Sequence, residues 1–324
     1  MSNNVVVVGG ANIDIVAAPF APLMEHDSNP GHSSISFGGV GRNIAENLSR
    51  LGCSVRFVSV FGDDSFSKAL ADDLTKKGID TSLCKTIRGQ TCSKYICINS
   101  EKGELIAAIN DMSLYDHMYA AITDEAIEAM NAADIVVLDA NTSEELLEKI
   151  AQRCTSPIAF DAVSISKVGR CANILDRLFL FKPNVYEAEA LCRSLVPEDQ
   201  DKNALAPAFE SSDIRFKASE YADFLINKGV KNVMISLGED GVYYANSSSG
   251  GTVPSMVTEI VNTSGCGDTF LAGAIRGYLD NADIKTMAGY GSAAAAICAA
   301  CEETVSERLS YGTVTEMLGH AKHE

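Results

Sequence analysis

The stretch NTSGCGDTFLAGAI, residues 262–275, combines a tight turn, a carboxylate and the start of a helix. The turn consists of Gly265, Cys266 and Gly267. Its backbone N–H groups can point at one place, and the helix expected from about Thr269 adds the positive end of its dipole. Asp268 could then accept a proton from a hydroxyl while the N–H groups stabilise a phosphoryl group in transfer. The alternative is that Asp268 is only a first-turn helix acid after a glycine turn.

Six apolar runs of strand length recur along the chain and are expected to form the sheet that positions this turn. They are residues 5–10, 55–62, 134–141, 157–163, 178–184 and 232–238. Most are continuously apolar, as expected of strands covered on both faces. Amphipathic helices are expected between them, at residues 40–52, 64–78, 143–154 and 218–229. Strand and helix alternate, which predicts an α/β fold with a doubly wound, mainly parallel sheet.

Two segments break this pattern and predict a small antiparallel sheet that projects from the main domain. Residues 18–37 are polar without a helical period, and residues 91–111 form two alternating runs joined by a turn at Lys102–Gly103. The natural use of such an appendage is a lid over the ends of the parallel strands. The expected division is a core of residues 1–17, 38–90 and 112–324 and a β-strand lid of residues 18–37 and 91–111.

Polar residues cluster where the expected strands end. They are Asn12, Asp14, Asp139, Asn141, Asp161, Lys182, Asn184 and Ser236. Ligands of open α/β sheets bind beyond the carboxyl ends of the strands. The pattern therefore predicts the rim of an active site at this edge of the sheet.

Composition and charge narrow the classes of function. The 324 residues, 46% of them hydrophobic, suit one large α/β domain, alone or with a smaller appendage. A net charge of -17 argues against nucleic-acid binding, although backbone dipoles or a metal ion could still attract a small anion. No signal peptide is visible, and the longest small apolar tract, residues 293–301, is too short to span a membrane. Ten scattered cysteines without paired CxxC spacing predict reduced thiols in a cytoplasmic protein.

The opening stretch resembles the D-T-x-G-A-G-D signature of the ribokinase-like (PfkB-type) carbohydrate kinases. Three further elements of that family accompany it: FGGVGRNIAENLSRLG at residues 37–52, KPNVYEAE at residues 182–189 and ISLGEDGVYY at residues 235–244. All four lie in the order and spacing of the family, so the resemblance covers essentially the whole chain. It implies a kinase that uses ATP and Mg²⁺ to phosphorylate an alcohol, and a homodimer formed through the lid. With the composition, which argues against a membrane or nucleic-acid partner, the expected partners are a small-molecule acceptor and ATP.

The resemblance also implies a role for each matching residue. Asp268 would be the catalytic base, and Gly265, Cys266 and Gly267 the anion hole. The sugar would be held by Asn12, Asp14, Gly38, Gly39 and Asn43. Asn184 and Glu187 would position Mg²⁺ and the phosphates of the nucleotide, the metal being held indirectly, and Ser236 and Gly238 would lie along ATP. Apart from the resemblance, Lys167 follows the expected strand that ends at Asp161 and could reach the phosphates.

Each of these residues also has a plain structural alternative. Asp14 could cap a loop, Asn43 could face solvent, and Glu187 could be a first-turn acid. Lys167 could be an exposed lysine. Asn262 stands where many relatives have an aspartate that helps to hold a monovalent cation, so activation by K⁺ stays open.

Within the family, three stretches resemble the branch that phosphorylates pseudouridine: DSNPG at residues 27–31, GGVGRNIAENL at residues 38–48 and AAINDM at residues 107–112. The first and third lie in the expected lid, where a nucleobase would rest. The side chains of Asn29, Asn110 and Asp111 could pair with the polar edge of pseudouridine, which carries an additional ring N–H. The alternatives are that Asn29 belongs to a plain turn and that Asn110 only ends a hairpin.

Three other functions stay open. The acceptor could be ribose, a ketose or a common nucleoside, as in other branches of the family. The fold could also serve a non-catalytic nucleoside sensor, although an intact Asp268 argues against it. A dinucleotide oxidoreductase is suggested by VVVVGGANID at residues 5–14, which lacks the G-x-G-x-x-G spacing.

Overall fold

The computed structural model describes residues 3–196 and 202–321. In chain order the strands are β1 (Asn4–Val8), β2 (Asn12–Pro19), β3 (Gly31–Gly38), β4 (Ser54–Val58), β5 (Val60–Gly62), β6 (Lys85–Ile87), β7 (Lys94–Asn99), β8 (Leu105–Asp111), β9 (Ile135–Asp139), β10 (Ile158–Asp161), β11 (Leu178–Lys182), β12 (Asn232–Ser236), β13 (Val242–Asn246) and β14 (Gly250–Val253). The α-helices are α1 (Val40–Arg50), α2 (Ser65–Lys76), α3 (Asp124–Asn131), α4 (Glu144–Arg153), α5 (Val185–Leu195), α6 (Lys202–Glu210), α7 (Ile214–Asn227), α8 (Cys266–Leu279), α9 (Ile284–Ala299) and α10 (Tyr311–Ala321). Shorter 3₁₀ helices cover Ser113–Ala121, Val168–Arg177 and Gly238–Asp240.

An eight-stranded sheet in the order β14-β13-β12-β11-β10-β9-β1-β4 forms the centre of the molecule. The strands from β12 to β4 run parallel, and β13 and β14 add an antiparallel edge. All six predicted strands are confirmed, and the fold is the predicted α/β fold with a mainly parallel central sheet. Their order reverses between β1 and its two neighbours, β4 and β9, as expected of a doubly wound sheet.

Helices cover both faces of this sheet, which explains why its strands are apolar throughout. In β1, Val5 and Val7 pack in one layer, whereas Val6 and Val8 pack in the other. The first layer contains α1, α2, α8, α9 and α10, and the second contains α3, α4, α5, α6 and α7. Since adjacent residues of a strand face opposite sides, an uninterrupted apolar run is required wherever both faces are buried.

A second, four-stranded sheet in the order β3-β2-β7-β8 lies beside the first, and we call it the small sheet. The pairs β2–β3 and β7–β8 are antiparallel, but the middle pair β2–β7 is parallel, so the sheet is mixed. Strand β2 begins at Asn12 rather than at residue 18, because the alternating residues of NIDIVAAP already form an extended strand. Asn12 and Asp14 therefore belong to the small sheet, and the division into core and lid stays a proposal.

Two further features bear on the sequence-based expectations. No helix among residues 3–196 and 202–321 is long and apolar enough to cross a membrane. All ten cysteines are free thiols, as predicted from their spacing.

Candidate active site

Helix α8 begins in a turn that only glycine can form without strain. Gly265, the residue before the helix, has φ of 79°, in the left-handed region. A Cβ at this position would lie 2.1 Å from the carbonyl oxygen of Thr304. The turn therefore packs directly on another backbone segment, and it directs the first turn of α8 toward the carboxyl ends of the parallel strands.

The N–H groups of this turn are used in two ways. The N–H of Cys266 donates to the carbonyl oxygen of Thr263 at 3.3 Å, so it is already engaged within the loop. Gly267 and Asp268 follow in the first helical turn, where no preceding turn supplies an acceptor. Anion binding at this helix end would consequently depend on the amides of residues 267 and 268 more than on that of Cys266.

Asp268 is buried and is held by helix α1. The side-chain amide of Asn43 donates to Oδ2 of Asp268 at 2.8 Å. One turn further along α1, Asn47 donates to the hydroxyl of Thr269 at 2.9 Å. Asn43 is therefore buried rather than solvent-facing, and residues 43 and 47 present one face of α1 to the start of α8.

Burial and the surrounding charges bring the pKa of Asp268 close to neutral pH. The pKa of its carboxyl is raised to about 8, first by burial and then by the negative charge of Asp161. The hydrogen bond from Asn43 and the ammonium group of Lys182 act in the opposite direction. A carboxylate with a pKa in this range is well matched to the task of accepting a proton.

Lys182 and Asp161 were recognised in the sequence only as polar strand ends, but the structure places both beside Asp268. The ammonium nitrogen of Lys182 lies 3.3 Å from Oδ2 of Asp161, and both side chains are buried. The same ammonium nitrogen lies close to Gly267, because a Cβ added at Gly267 would be 3.0 Å from it. Although burial lowers it, the pKa of Lys182 is raised overall by the carboxylates of Asp161, Glu187 and Asp268. A lysine within the buried run LFLFK was the available sequence signal.

The residues predicted to hold the sugar form a continuous group. Asn12 donates to Oδ1 of Asp14 at 2.6 Å, and Oδ2 of Asp14 would lie 2.1 Å from a Cβ on Gly38. Gly39 has φ of 99° and packs on the backbone of Gly10, while its carbonyl oxygen accepts from the N–H of Asn43. Burial raises the pKa of Asp14. The glycine pair thus joins the small sheet to the helix that holds Asp268.

The two asparagines predicted to contact a base have different surroundings. Asn110 is exposed on β8, in register with Tyr95, which is itself in register with Asp14. Residues in register across a sheet share one face, so these three side chains form a row. Asn29 instead accepts from the N–H of Met24 and donates to the carbonyl oxygens of Met24 and Asp27. Its amide groups are used within its own loop.

A cavity of about 850 Å³ opens on the other side of the helix start. Three residues that were predicted to contact the nucleotide line this cavity, namely Asn184, Ser236 and Gly238. Lys182, Cys266 and Gly267 line it as well. Apolar walls are supplied by Val185, Ile214, Leu237, Val242, Val257, Ile260 and Phe270. The cavity is large enough for a nucleotide, with its charged end at α8 and an apolar slot beyond.

Three residues predicted to contact the nucleotide, its phosphates or magnesium make local hydrogen bonds in this structure. Asn184 and Glu187 form a capping box at the start of α5: Asn184 accepts from the N–H of Glu187 at 2.9 Å, and Glu187 accepts from the N–H of Asn184 at 2.8 Å. Lys167 donates to Oδ1 of Asn141 at 2.7 Å and is not among the residues that line the cavity. Burial lowers the pKa of Lys167.

The donor set fits magnesium held through water and phosphate rather than by a protein cage. Among the described residues, no group of three or more His, Cys, Asp or Glu side chains could hold a metal ion. Carboxylates of Asp161, Asp268 and Glu187 nevertheless lie near the charged end of the cavity, around Lys182. Mg²⁺ commonly takes one or two carboxylates, retained waters and substrate phosphates, and this arrangement meets that requirement.

Comparisons with known proteins agree in family and fold. A family model described as pfkB family carbohydrate kinase matches residues 2–309. The chain is similar to the pseudouridine kinase of Escherichia coli (strain K12), with 30% identity covering 98% of this chain and 97% of that protein. A carbohydrate kinase from Agrobacterium tumefaciens has a similar structure, with a TM-score of 0.81, 27% identity and coverage of 98% of this chain and 97% of that chain. Arabidopsis thaliana ribokinase complexed with ribose and ATP shares the fold, with a TM-score of 0.81, 19% identity and coverage of 98% and 99%.

Proposed function

Because this chain belongs to the pfkB family of carbohydrate kinases, and so transfers a phosphoryl group from ATP to a hydroxyl of a sugar or nucleoside, we propose that its acceptor is the 5′-hydroxyl of pseudouridine. The products are pseudouridine 5′-phosphate and ADP. A bond forms between the 5′-oxygen and the γ-phosphorus, the bond from that phosphorus to the β,γ-bridging oxygen breaks, and the hydroxyl proton goes to Asp268. The full-length similarity to a pseudouridine kinase supports this acceptor.

The observation that carries the mechanism is the position of Asp268 at the start of α8. Its Oδ2 is held by Asn43, which leaves Oδ1 to accept the proton of the attacking hydroxyl. The amides of residues 267 and 268 and the ammonium of Lys182 would stabilise the negative charge on the transferred group. Magnesium, bound with the triphosphate, would supply further positive charge for phosphoryl transfer.

The nucleotide and the acceptor would approach this carboxylate from opposite sides. ATP would occupy the cavity lined by Asn184, Ser236 and Gly238, with its γ-phosphate at the end near Gly267 and Lys182. The ribose would lie on Gly38 and Gly39, with its hydroxyls donating to Asp14. The small sheet would act as a lid that excludes water and so limits wasteful hydrolysis of ATP.

The row Asp14–Tyr95–Asn110 supports a nucleoside rather than a free sugar. It continues across the small sheet beyond the proposed ribose position. Tyr95 offers an aromatic ring to a pyrimidine, and Asn110 offers an acceptor and a donor to its polar edge. Pseudouridine joins its base through carbon, so its ring carries an additional N–H that uridine lacks.

Three further properties belong to this proposal. We expect little dependence on K⁺, since Asn262 lacks the negative charge of an aspartate and its side-chain amide already donates to the carbonyl oxygen of Glu302 at 2.7 Å. We expect a homodimer formed through the exposed face of the small sheet. We also expect a cytoplasmic location, where ATP is supplied and thiols stay reduced.

The test is a panel of acceptors assayed with ATP and Mg²⁺. Pseudouridine should give a kcat/KM at least about tenfold above those of uridine, ribose and fructose, because an unpaired polar group is costly in a site built to hold it. Equal or better turnover of another acceptor would overturn the choice of substrate without affecting the kinase assignment.

Replacement of the base tests the mechanism separately. Asp268→Asn should lower kcat by about a thousandfold, the usual range for a general base, while calorimetry still detects binding of pseudouridine. If the wild-type chain binds the nucleoside but phosphorylates nothing in the panel, the non-catalytic sensor becomes the better reading. Activity retained by Asp268→Asn would reject Asp268 as the base.

A further inference from the structure

We propose that Arg42 is the positioning residue of the phosphoryl-transfer site: its guanidinium fixes the amide of Asn43 so that this amide donates to Asp268. The inference rests on the proposed role of Asp268 as the base. Arg42 is the third residue of α1, directly before Asn43, and is buried to 4% exposure. Arg42 lies within the motif GGVGRNIAENL, but the sequence predicted no role for it in the site.

The contacts of Arg42 link three parts of the site. Its Nη1 donates to Oδ1 of Asn43 at 3.0 Å and to the carbonyl oxygen of Phe37 at 3.1 Å. Its Nη2 donates to Glu46 and, at 3.3 Å, to Oδ2 of Asp73. Phe37 is the penultimate residue of β3, so one guanidinium joins the end of a small-sheet strand to the residue that holds the proposed base.

The direction of the asparagine amide follows from the chemistry of its two neighbours. A guanidinium has only donors, and an ionised carboxylate has only acceptors. Asn43 lies between them, so its oxygen must face Arg42 and its nitrogen must face Asp268. The opposite orientation would place two donors together and two acceptors together in a buried site, which is costly. Arg42 therefore sets a hydrogen bond that favours the ionised form of Asp268.

Arg42 is itself held by a group of charges at the base of α1 and α2. Glu46, one turn further along α1, is buried to 2% exposure and also pairs with Arg50 at 3.0 Å and with Lys77 at 2.8 Å. Asp73 pairs with Lys77 at 2.9 Å. A guanidinium with both ends engaged cannot rotate away from Asn43, because its planar fork is fixed by bidentate contacts.

Arg42 also faces the sugar side of the site. Its positive charge partly offsets the effect of burial on Asp14, which lies against Gly38. The groups that face Asp268 from the sheet are Asp161, Asp139 and Lys182, on β10, β9 and β11. Arg42 thus influences both Asp14 and Asp268, the two carboxylates proposed to contact the acceptor. It acts on Asp268 through the side chain of Asn43.

Arg42→Met and Arg50→Met form a matched pair for the test. Each removes one arginine that pairs with Glu46, but only Arg42 touches Asn43. With the best acceptor of the panel, Arg42→Met should lower kcat by about 10- to 100-fold, as small misplacements of catalytic groups do, and leave KM for ATP within about twofold. The rising limb of its kcat/KM profile should move to higher pH, by roughly half a unit, because Asp268 loses a donor that favours its charged form. Arg50→Met should keep both kcat and the pH limb.

One further variant, Arg42→Lys, keeps the outcome decisive. Arg42→Lys retains the charge beside Glu46 but loses the planar fork, so it should fold even if Arg42→Met does not, and should show the same displaced limb. The inference is wrong if Arg42→Met and Arg42→Lys both keep the wild-type pH limb, or if Arg50→Met displaces the limb equally. Failure of the base assignment is separate, since it would be seen as activity retained by Asp268→Asn.

Discussion

At the scale of single residues, Asp268 is placed where its charge is unfavourable for folding. Its carboxylate is buried and near Asp161, whereas Asn43 and Lys182 favour the ionised form. Such a group raises reactivity at the expense of stability, a frequent property of active sites.

Replacement of Asp268 should therefore stabilise the protein in a pH-dependent way. The folded-state pKa, raised to about 8, exceeds the unfolded value of 3.8, so the folded protein binds the extra proton over this interval. The wild-type protein loses stability as the pH rises through that interval, whereas Asp268→Asn does not. Thermal unfolding should show no difference at about pH 4 and a melting temperature for Asp268→Asn that is higher by roughly a few degrees at about pH 9. An equal difference at both pH values would contradict this account.

Lys182 should be necessary both for the stability of the protein and for keeping the pKa of Asp268 from rising further. Lys182→Met leaves Asp161 buried without its cation, which should cost about 3–5 kcal/mol of unfolding free energy in denaturant titrations. The remaining activity should have its rising limb at higher pH, because an opposite charge near Asp268 is gone. The double variant Asp161→Asn/Lys182→Met should recover much of the stability. Lys167→Met, which removes a lysine bonded to Asn141 outside the cavity, is the control and should shift neither the limb nor the stability as far.

At the scale of elements, the site forms where the N-termini of two helices meet the carboxyl ends of the parallel strands. Helix α1 starts after Gly39 and contributes Asn43, while α8 starts after Gly265 and contributes Asp268. Both preceding glycines have positive φ and pack against a backbone segment. The two helices can approach the strand ends so closely because no side chain intervenes.

Gly265→Ala and Gly52→Ala separate backbone strain from close packing. Both glycines have φ near 80°, but a Cβ on Gly52 would meet nothing within 4 Å, whereas one on Gly265 would lie 2.1 Å from Thr304. Gly52→Ala should cost about 1–2 kcal/mol of unfolding free energy and leave kcat unchanged. Gly265→Ala should cost more, and it should lower kcat because the first turn of α8 must move. Equal effects in denaturant titration and kinetics would show that packing on Thr304 is unimportant.

At the scale of the whole molecule, the small sheet presents an apolar face away from Asp14. Ile35, Ile15, Ile96 and Ile109 are in register across β3, β2, β7 and β8 and so form one row. Ile35 and Ile109 are 57% and 66% exposed. Ile15 and Ile96, between them, are half-buried. Two exposed isoleucines at the ends of an apolar row support contact of this face with a second copy of the chain.

Ile109→Asp should convert the expected dimer into a monomer. A charge in the middle of an apolar interface remains unpaired when two copies meet, so the dimer loses stability while each subunit keeps its fold. Sedimentation velocity at micromolar concentration should show a dimer for the wild-type protein and for the control Ile165→Asp, which alters an isoleucine of similar exposure elsewhere. A monomeric wild-type protein, or a dimeric Ile109→Asp, would reject this interface.

The sequence by itself determined the elements that depend on local pattern. Continuous apolar runs predicted the buried parallel strands, and the four family elements predicted which turns and strand ends carry the site. The capping box of Asn184 and Glu187 is likewise local, since its partners are three residues apart.

Only the tertiary structure decided how the site is charged and held. Asn43 and Asp268 are 225 positions apart, and Lys182 reaches Asp161 across two neighbouring strands. The start of β2 at Asn12, its parallel pairing with β7 and the burial of Arg42 were not predicted. Neither strand register nor burial can be read from a short sequence pattern. The pKa of a carboxyl depends on how much water and which charges surround it, and these come from segments that only folding brings together.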